Sequence, residues 1–470
     1  MPKRRTRARS GTGSENRPTT RSLSRMAQDT SDQNTESDAA TKSPPIPVSV
    51  APAVAAAAAN YPPHLQPFMA PIRQPEQGSF HVTNSFFIKA YWTKDGKQDR
   101  LGGHMYVERH DPLLIVQTMP IILIHGDWHT GQVTSASLPV EKGVFGLSTH
   151  TKVWTTKPDG GPGWAGYFIY QGYRVYIVDL PACGRSNSLT GSQVHVANQS
   201  PVPSKELIAR DITATRSQTG KPDDATFERY YASLVPLLLR KVDRQRLAQS
   251  ALGELLEHTG PAILIGEGTG ANMAWLATDL KPNLVAHVFA VEPAGPPCGT
   301  ALGYGIGGTR RFSSYIRFDP SVRAYGVADI PMQYEPPVVE DDTDGDNDRP
   351  KLDVLPTYML HEGAATCVMQ RCDENSHTRP FDPPRRLVNL QPMGHTIITS
   401  QASSHSTYDW ATVKFLRQAG VRVESKRLEE YGVTGNGHLM FLEENSDEIA
   451  CLLCIWITTL FPPLQPILTA

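Results

Sequence analysis

Residues 262–277 read AILIGEGTGANMAWLA: an apolar run of strand length, the turn Gly266-Glu267-Gly268-Thr269-Gly270, and a helical stretch. A strand, a G-x-S-x-G turn and a helix make a nucleophile elbow, whose flanking glycines permit a strained turn that lifts the central side chain to the end of the sheet. Here the central residue, Gly268, carries no side chain. The glycines of the turn remain, and the nucleophilic atom does not. Shifting the nucleophile to Thr269 would place Glu267 and Ala271 where the elbow wants its smallest residues. Glu267 is expected under the turn as a packing or hydrogen-bonding residue.

A second chemistry fits the same peptide. Gly266-x-Gly268-x-x-Ala271 after a strand is a permitted dinucleotide fingerprint, and Glu292 ends the next strand, where a ribose-binding acid would sit. Against it, that fingerprint usually opens the first strand–helix unit, whereas several units precede this one.

The elements that must hold these residues are visible as strand-length apolar runs. PIILIH (120–125), YRVYIVDL (173–180), PAILIG (261–266), VAHVFAVE (285–292) and HTIITS (395–400) suit a parallel sheet covered on both faces. Helical stretches PGWAGYFIYQGY, RLAQSALGELLEHTG and ANMAWLATDLKP alternate with them, and SFHVTNSFFIKAYW with HMYVERH around KDGKQDRLGG predicts a hairpin. The pattern is that of an α/β protein with a doubly wound, mostly parallel sheet. From Pro293 prolines, glycines and the acidic run EDDTDGDND (340–348) break the alternation, predicting an inserted cap at about 293–385 with a solvated acidic loop. Residues 1–76 have the composition of a disordered tail; the folded domain is expected over 77–460, with 461–470 a C-terminal tail.

Further motifs stand in order along the chain: IHG at 124–126, Trp154 with PDGGPGW at 158–164, VYIVDLPACGRS at 175–186, YGVADIP at 325–331 and GNGHLMFLE at 435–443. In these the sequence resembles the bacterial and fungal esterases of the α/β-hydrolase superfamily, over about residues 78 to 458. The resemblance implies a triad whose nucleophile position is Gly268, whose acid is Glu292 and whose base is His438. It also implies oxyanion donors from the backbone of Thr269 and from the turn containing Gly126 and Asp127, although an Asp127 carboxylate aimed there would repel developing negative charge. Loss of the serine costs a triad enzyme on the order of 10⁶ in turnover. A Glu–His pair without serine is still a general base toward water or an acidic carbon. Three functions follow as expectations: proton transfer or water activation by His438 and Glu292 on a small apolar metabolite, a non-catalytic binding protein on the hydrolase fold, or a dinucleotide-dependent enzyme.

Charge excludes other classes. Lys plus Arg number 45 against 47 for Asp plus Glu, so the net charge of -2 offers no bulk attraction to nucleic acid or an anionic membrane. The expected partner is a small molecule, with no cofactor. The alanine run at 51–59 is too short and too closely bracketed by prolines to span a bilayer. The basic start MPKRRTRARS leads into polar residues rather than the apolar stretch of a secretory signal, so a cytoplasmic location is expected, and the basic cluster reads as the tip of a tail rather than a nuclear address. Six cysteines, at 183, 298, 367, 372, 451 and 454, form no disulfide framework and suit a reduced compartment. Cys451 and Cys454 are expected in the core. Cys367, Cys372 and His377 lack a second ligand cluster, so no metal is expected.

Overall fold

The computed structural model describes residues 81–93, 100–131, 154–158, 160–186, 189–190, 200–212, 225–305, 312–338, 352–359, 365–371 and 383–464. They fall within one unit, Val48–Ala470. The expected tail at 1–76, all of the expected tail at 461–470 beyond residue 464, the acidic run, Cys372 and His377 lie outside the described residues.

Strands β1 (His81–Thr93) and β2 (Arg100–Pro112) form the expected antiparallel hairpin. The apolar runs become β3 (Ile121–Ile124), β4 (Val175–Asp179), β6 (Ala262–Glu267), β7 (Val285–Val291) and β14 (Gly394–Thr399); β5 (Leu189–Thr190) is a short addition beside β2. With β15 (Val423–Arg427) they give one sheet in the order β1-β2-β4-β3-β6-β7-β14-β15. Every neighbour from β4 to β15 is parallel, while β1, β2 and β4 pair antiparallel. All residues of β3, β4 and β6 are buried, as both faces of a covered sheet require.

Period-2 alternation sends successive side chains to two separate cores. Ile122 and Ile124 join the helices α4 (Lys241–Thr259), α5 (Thr269–Leu280) and α6 (Asp409–Gln418) on one face. Ile121 and Leu123 join α1 (Trp164–Tyr170), α3 (Ala225–Ala232) and α7 (Ser446–Leu460) on the other. Cys451 and Cys454 are buried in this second core, and the five described cysteines are all buried and form no disulfide with one another.

The segment expected as a cap holds three small antiparallel ladders: β8 (Gly299–Gly305) with β9 (Phe312–Phe318), β11 (Val354–Met359) with β12 (Ala365–Gln370), and β10 (Tyr334–Glu335) with β13 (Arg386–Leu387). Cys298, Ile316, Tyr325, Met332 and Val368 extend the first core. Among the described residues only Ala294 and Gly295 of this segment line the cavity at the sheet's C-terminal edge. The expected cap at 293–385 falls in large part outside the described residues; among the described residues the cavity's cover comes from α2 (Lys205–Ile212), the loop before it and α3.

Candidate active site

Gly268 stands between β6 and α5 with φ +53° and ψ −124°, a conformation that L side chains rarely adopt. Its N–H donates to the Val291 carbonyl at 3.0 Å, and its own carbonyl accepts from Ala294 N at 3.1 Å. A Cβ on Gly266 would lie 2.6 Å from backbone atoms of Gly270 and Ala271, and one on Gly270 would lie 2.5 Å from the carbonyls of Ile124 and His125. Those two positions must be glycine. A Cβ on Gly268 would meet nothing nearer than the Gly126 Cα at 4.0 Å, so space at the centre of the turn admits a side chain.

Glu292 leaves β7 at φ +45° and is fully buried. Its Oε2 accepts from His438 Nδ1 at 2.7 Å and from the Ser403 hydroxyl at 2.7 Å, and its Oε1 accepts from the Ser400 N–H at 2.8 Å. The Ser400 hydroxyl lies 2.6 Å from both Glu292 Oε1 and the Gly437 carbonyl, its single proton serving one at a time. The loop carrying His438 is fixed from behind: Asn436 donates to Glu443, and the Gly437 N–H donates to Glu443 Oε1 at 2.8 Å. Phe441 of the same motif packs on Trp154 and Trp164, whose Nε1 donates to the Ser446 carbonyl. The scattered motifs thus converge beneath one histidine.

His438, Gly268 and Thr269 line a cavity of about 350 Å³, at the lower end for small-molecule sites. Trp128, Leu207, Ile208, Leu234 and Leu439 give it apolar walls. Thr269 opens α5, where first-turn N–H groups have no intrahelical acceptor, and its hydroxyl donates to Asp127 Oδ1 at 2.7 Å. Asp127 is in turn clamped by the Arg244 guanidinium, which offsets its charge.

The oxyanion expectation for Gly126 is corrected: its N–H donates to Glu267 Oε1 at 2.5 Å and is not free for a ligand. Glu267 is buried and also takes His129 Nδ1 at 2.6 Å. Burial alone would push the Glu267 carboxyl up, but His129 beside it, with His438 and the Gly126 N–H, holds it below its ordinary value. On the far side of the IHG turn, His125 Nε2 accepts from the Leu180 N–H while Nδ1 donates to the Gly126 carbonyl. Burial lowers its pKa, in keeping with this neutral tautomer.

Sequence reasoning missed His129, Tyr230, His405 and Asp409. His405 stacks on His438, its Nδ1 reaching Asp409 Oδ1 at 3.0 Å. Ser400, Ser403 and His405 share the hydroxyl-rich run TSQASSH after β14, a signal that was available; Tyr230 and Asp409 had none. Glu292, His405 and His438 each bring one ligand atom within 4.8 Å of the others. Glu292 and the Nδ1 atoms of both histidines are already hydrogen-bonded within the protein, so this donor set is satisfied without an ion. Gly266 of the dinucleotide fingerprint serves close backbone packing, and Glu292 is engaged by protein donors rather than turned to a ribose.

Residues 121–450 match the Alpha/beta hydrolase family, and the chain belongs to it. It is 31% identical over 384 residues to "Probable secreted lipase phiG" of Fungal sp. (strain ATCC 74256), covering 80% of this chain and 89% of that one. Among solved structures, a bacterial esterase determined at atomic resolution overlays with a TM-score of 0.49 at 15% identity, covering 83% of this chain and 99% of that one. Brefeldin A esterase, described as a bacterial homologue of human hormone sensitive lipase, overlays with a TM-score of 0.33 at 12% identity, covering 89% and 86%. The protein is an esterase- and lipase-like α/β hydrolase by fold and relatedness. The fungal relative, named as secreted, corrects the cytoplasmic expectation. That expectation rested on a basic, polar start and on cysteines without a disulfide framework, and neither fixes a compartment.

Proposed function

We propose that the cavity binds a small, mostly apolar metabolite and that His438, backed by Glu292, takes a proton from it or from a water, with no acyl-enzyme. The observation that carries this reading is the 2.7 Å bond from His438 Nδ1 to Glu292 Oε2 at the edge of an apolar cavity. With Nδ1 donating to the carboxylate, Nε2 is left as the base, and the buried carboxylate stabilises the imidazolium that forms. Gly268, at the family's nucleophile position, offers no Oγ, so the covalent route is closed.

The test uses p-nitrophenyl acetate and a fluorophosphonate probe. The expected result is slow hydrolysis with no burst and no fluorophosphonate adduct, reduced by roughly 10²-fold or more in His438→Ala and Glu292→Gln. Hydrolysis indifferent to both variants, or an adduct on another residue, would overturn the reading. A second reading, a non-catalytic binding protein, is favoured by one observation: Glu267 occupies the Gly126 N–H that an oxyanion would need. Saturable binding of p-nitrophenol with no turnover of the ester would support it instead.

A further inference from the structure

Lining the same cavity as Gly268 is a second carboxylate–imidazole–hydroxyl chain. Glu267 Oε1 lies 2.6 Å from His129 Nδ1, and His129 Nε2 lies 2.8 Å from the Tyr230 hydroxyl. All three residues line the cavity and all are buried. The elements that hold them are independent: Glu267 ends β6, His129 belongs to the turn after β3, and Tyr230 comes from α3 in the cover. Nothing in the proton-transfer reading of His438 uses them.

We propose that Tyr230 is an activated hydroxyl of this cavity, with His129 as its proton acceptor and Glu267 as the group that orients and charges His129. The order of bonds is that of a serine triad with a phenol at its end. Glu267 accepts the Nδ1 proton of His129, which leaves the Nε2 lone pair to accept the Tyr230 O–H. The buried carboxylate accepts both the His129 Nδ1–H and the Gly126 N–H, which hold its charge. When Tyr230 takes a proton from a bound molecule, its own proton passes to His129 Nε2, and Glu267 stabilises the imidazolium formed.

The inference deepens the proposed function and rests on it for its reaction class. With His438 as one proton-transfer group and Tyr230 as another, the cavity suits a proton relocation on a molecule with an acidic C–H or hydroxyl. One group removes the proton while the other, protonated beforehand, returns one elsewhere, so protons balance over the turnover. Tyr230 would touch the substrate; His129 and Glu267 are positioning residues.

The experiment needs no substrate. An aryl sulfonyl fluoride that enters the cavity loses fluoride to an activated phenol and leaves a tyrosyl sulfonate, which peptide mass spectrometry locates. The expected result is modification of Tyr230 ahead of Tyr408, which lines the same cavity without this relay. Tyr230→Phe, which removes only the hydroxyl, should abolish the adduct, and His129→Ala should slow it by roughly 10²-fold. Glu267→Gln keeps the volume and should slow it as well, with retained thermal unfolding confirming that each variant is folded. Labelling of Tyr230 no faster than Tyr408, or labelling unchanged in folded His129→Ala, overturns the proposal. Labelling of Tyr230 no faster than Tyr408 sinks this proposal alone, whereas ester hydrolysis unchanged in folded His438→Ala sinks the His438 reading alone.

Discussion

The imidazoles of His405 and His438 lie face to face, with ring centroids 4.6 Å apart and planes 3° from parallel. His405 is also tilted against Tyr408 at 4.7 Å, and its Nδ1 is the partner of the buried Asp409 carboxyl. Removing the ring would empty the space behind His438 and leave Asp409 with only Thr399. His405→Ala should therefore cost about 2–4 kcal/mol, while His405→Phe, which keeps a flat ring in the stack, should cost less. Urea unfolding midpoints of the two variants check this, and an alanine variant within about 0.5 kcal/mol of the wild type would show that the stack supports nothing.

Asp127 is held between Arg244 and the Thr269 hydroxyl at the mouth of the elbow. The Arg244 side chain is 10% exposed and that of Asp127 17%, so removal of the cation strands a largely desolvated carboxylate. Arg244→Met is expected to destabilise by about 2–4 kcal/mol, against about 1 kcal/mol for Thr269→Val, which removes one donor. Equal costs for the two variants, measured by denaturant unfolding, would mean that the ion pair is solvent-screened.

Away from the site, burial pushes the Asp279 carboxyl up to about 6, against the opposing N–H of Gln333. The folded form thus holds a proton more tightly than the unfolded chain. Its stabilisation is complete below the unfolded value of 3.8 and is lost as pH rises through about 6. Over that window the wild type should lose up to about 3 kcal/mol that Asp279→Asn does not lose. Unfolding midpoints of both proteins, taken from about pH 4 to about pH 8, should converge at the acid end and separate at the alkaline end in favour of the variant. Parallel curves would contradict the shift.

The sheet was legible because its strands are apolar on both faces: IILI, VYIVD and AILIGE allow little but a covered parallel strand. β15 was not, since VESKR is mostly exposed and carries no apolar run. Glu292 and His438 were reachable through their motifs, and the structure brings them into contact. His129 and Tyr230 were not, because a hydrogen bond between a turn residue and a helix residue about a hundred positions on leaves no spacing to read. The lining from α2 and α3 was overlooked because both helices are short and carry charged residues, whereas the prolines and acids after 293 drew attention to a segment whose described strand β12 packs beside α6.

The three glycines of the elbow should respond differently to a side chain. Gly266→Ala and Gly270→Ala drive a Cβ to 2.6 and 2.5 Å from backbone atoms that cannot give way, so each should cost about 3 kcal/mol or more, or prevent folding. The Cβ of Gly268→Ser meets no atom nearer than 4.0 Å, which leaves chiefly the strain of φ +53°, about 1–3 kcal/mol. Restored there, a serine would join Glu292 and His438, whose carboxylate–imidazole bond is already made at 2.7 Å. The Gly268→Ser protein is expected to react with a fluorophosphonate and to cleave short p-nitrophenyl esters with a burst, neither of which the natural chain should do. Adding His438→Ala should abolish the gain, because the hydroxyl is weak without its base. The occupied Gly126 N–H sets the limit on that activity, since Glu267 takes a donor that a tetrahedral intermediate would use. Glu267→Gln in the serine background loosens that hold and should raise the ester rate. A serine variant that folds and stays unlabelled would show that the cavity has left acyl transfer behind, whatever stands at position 268.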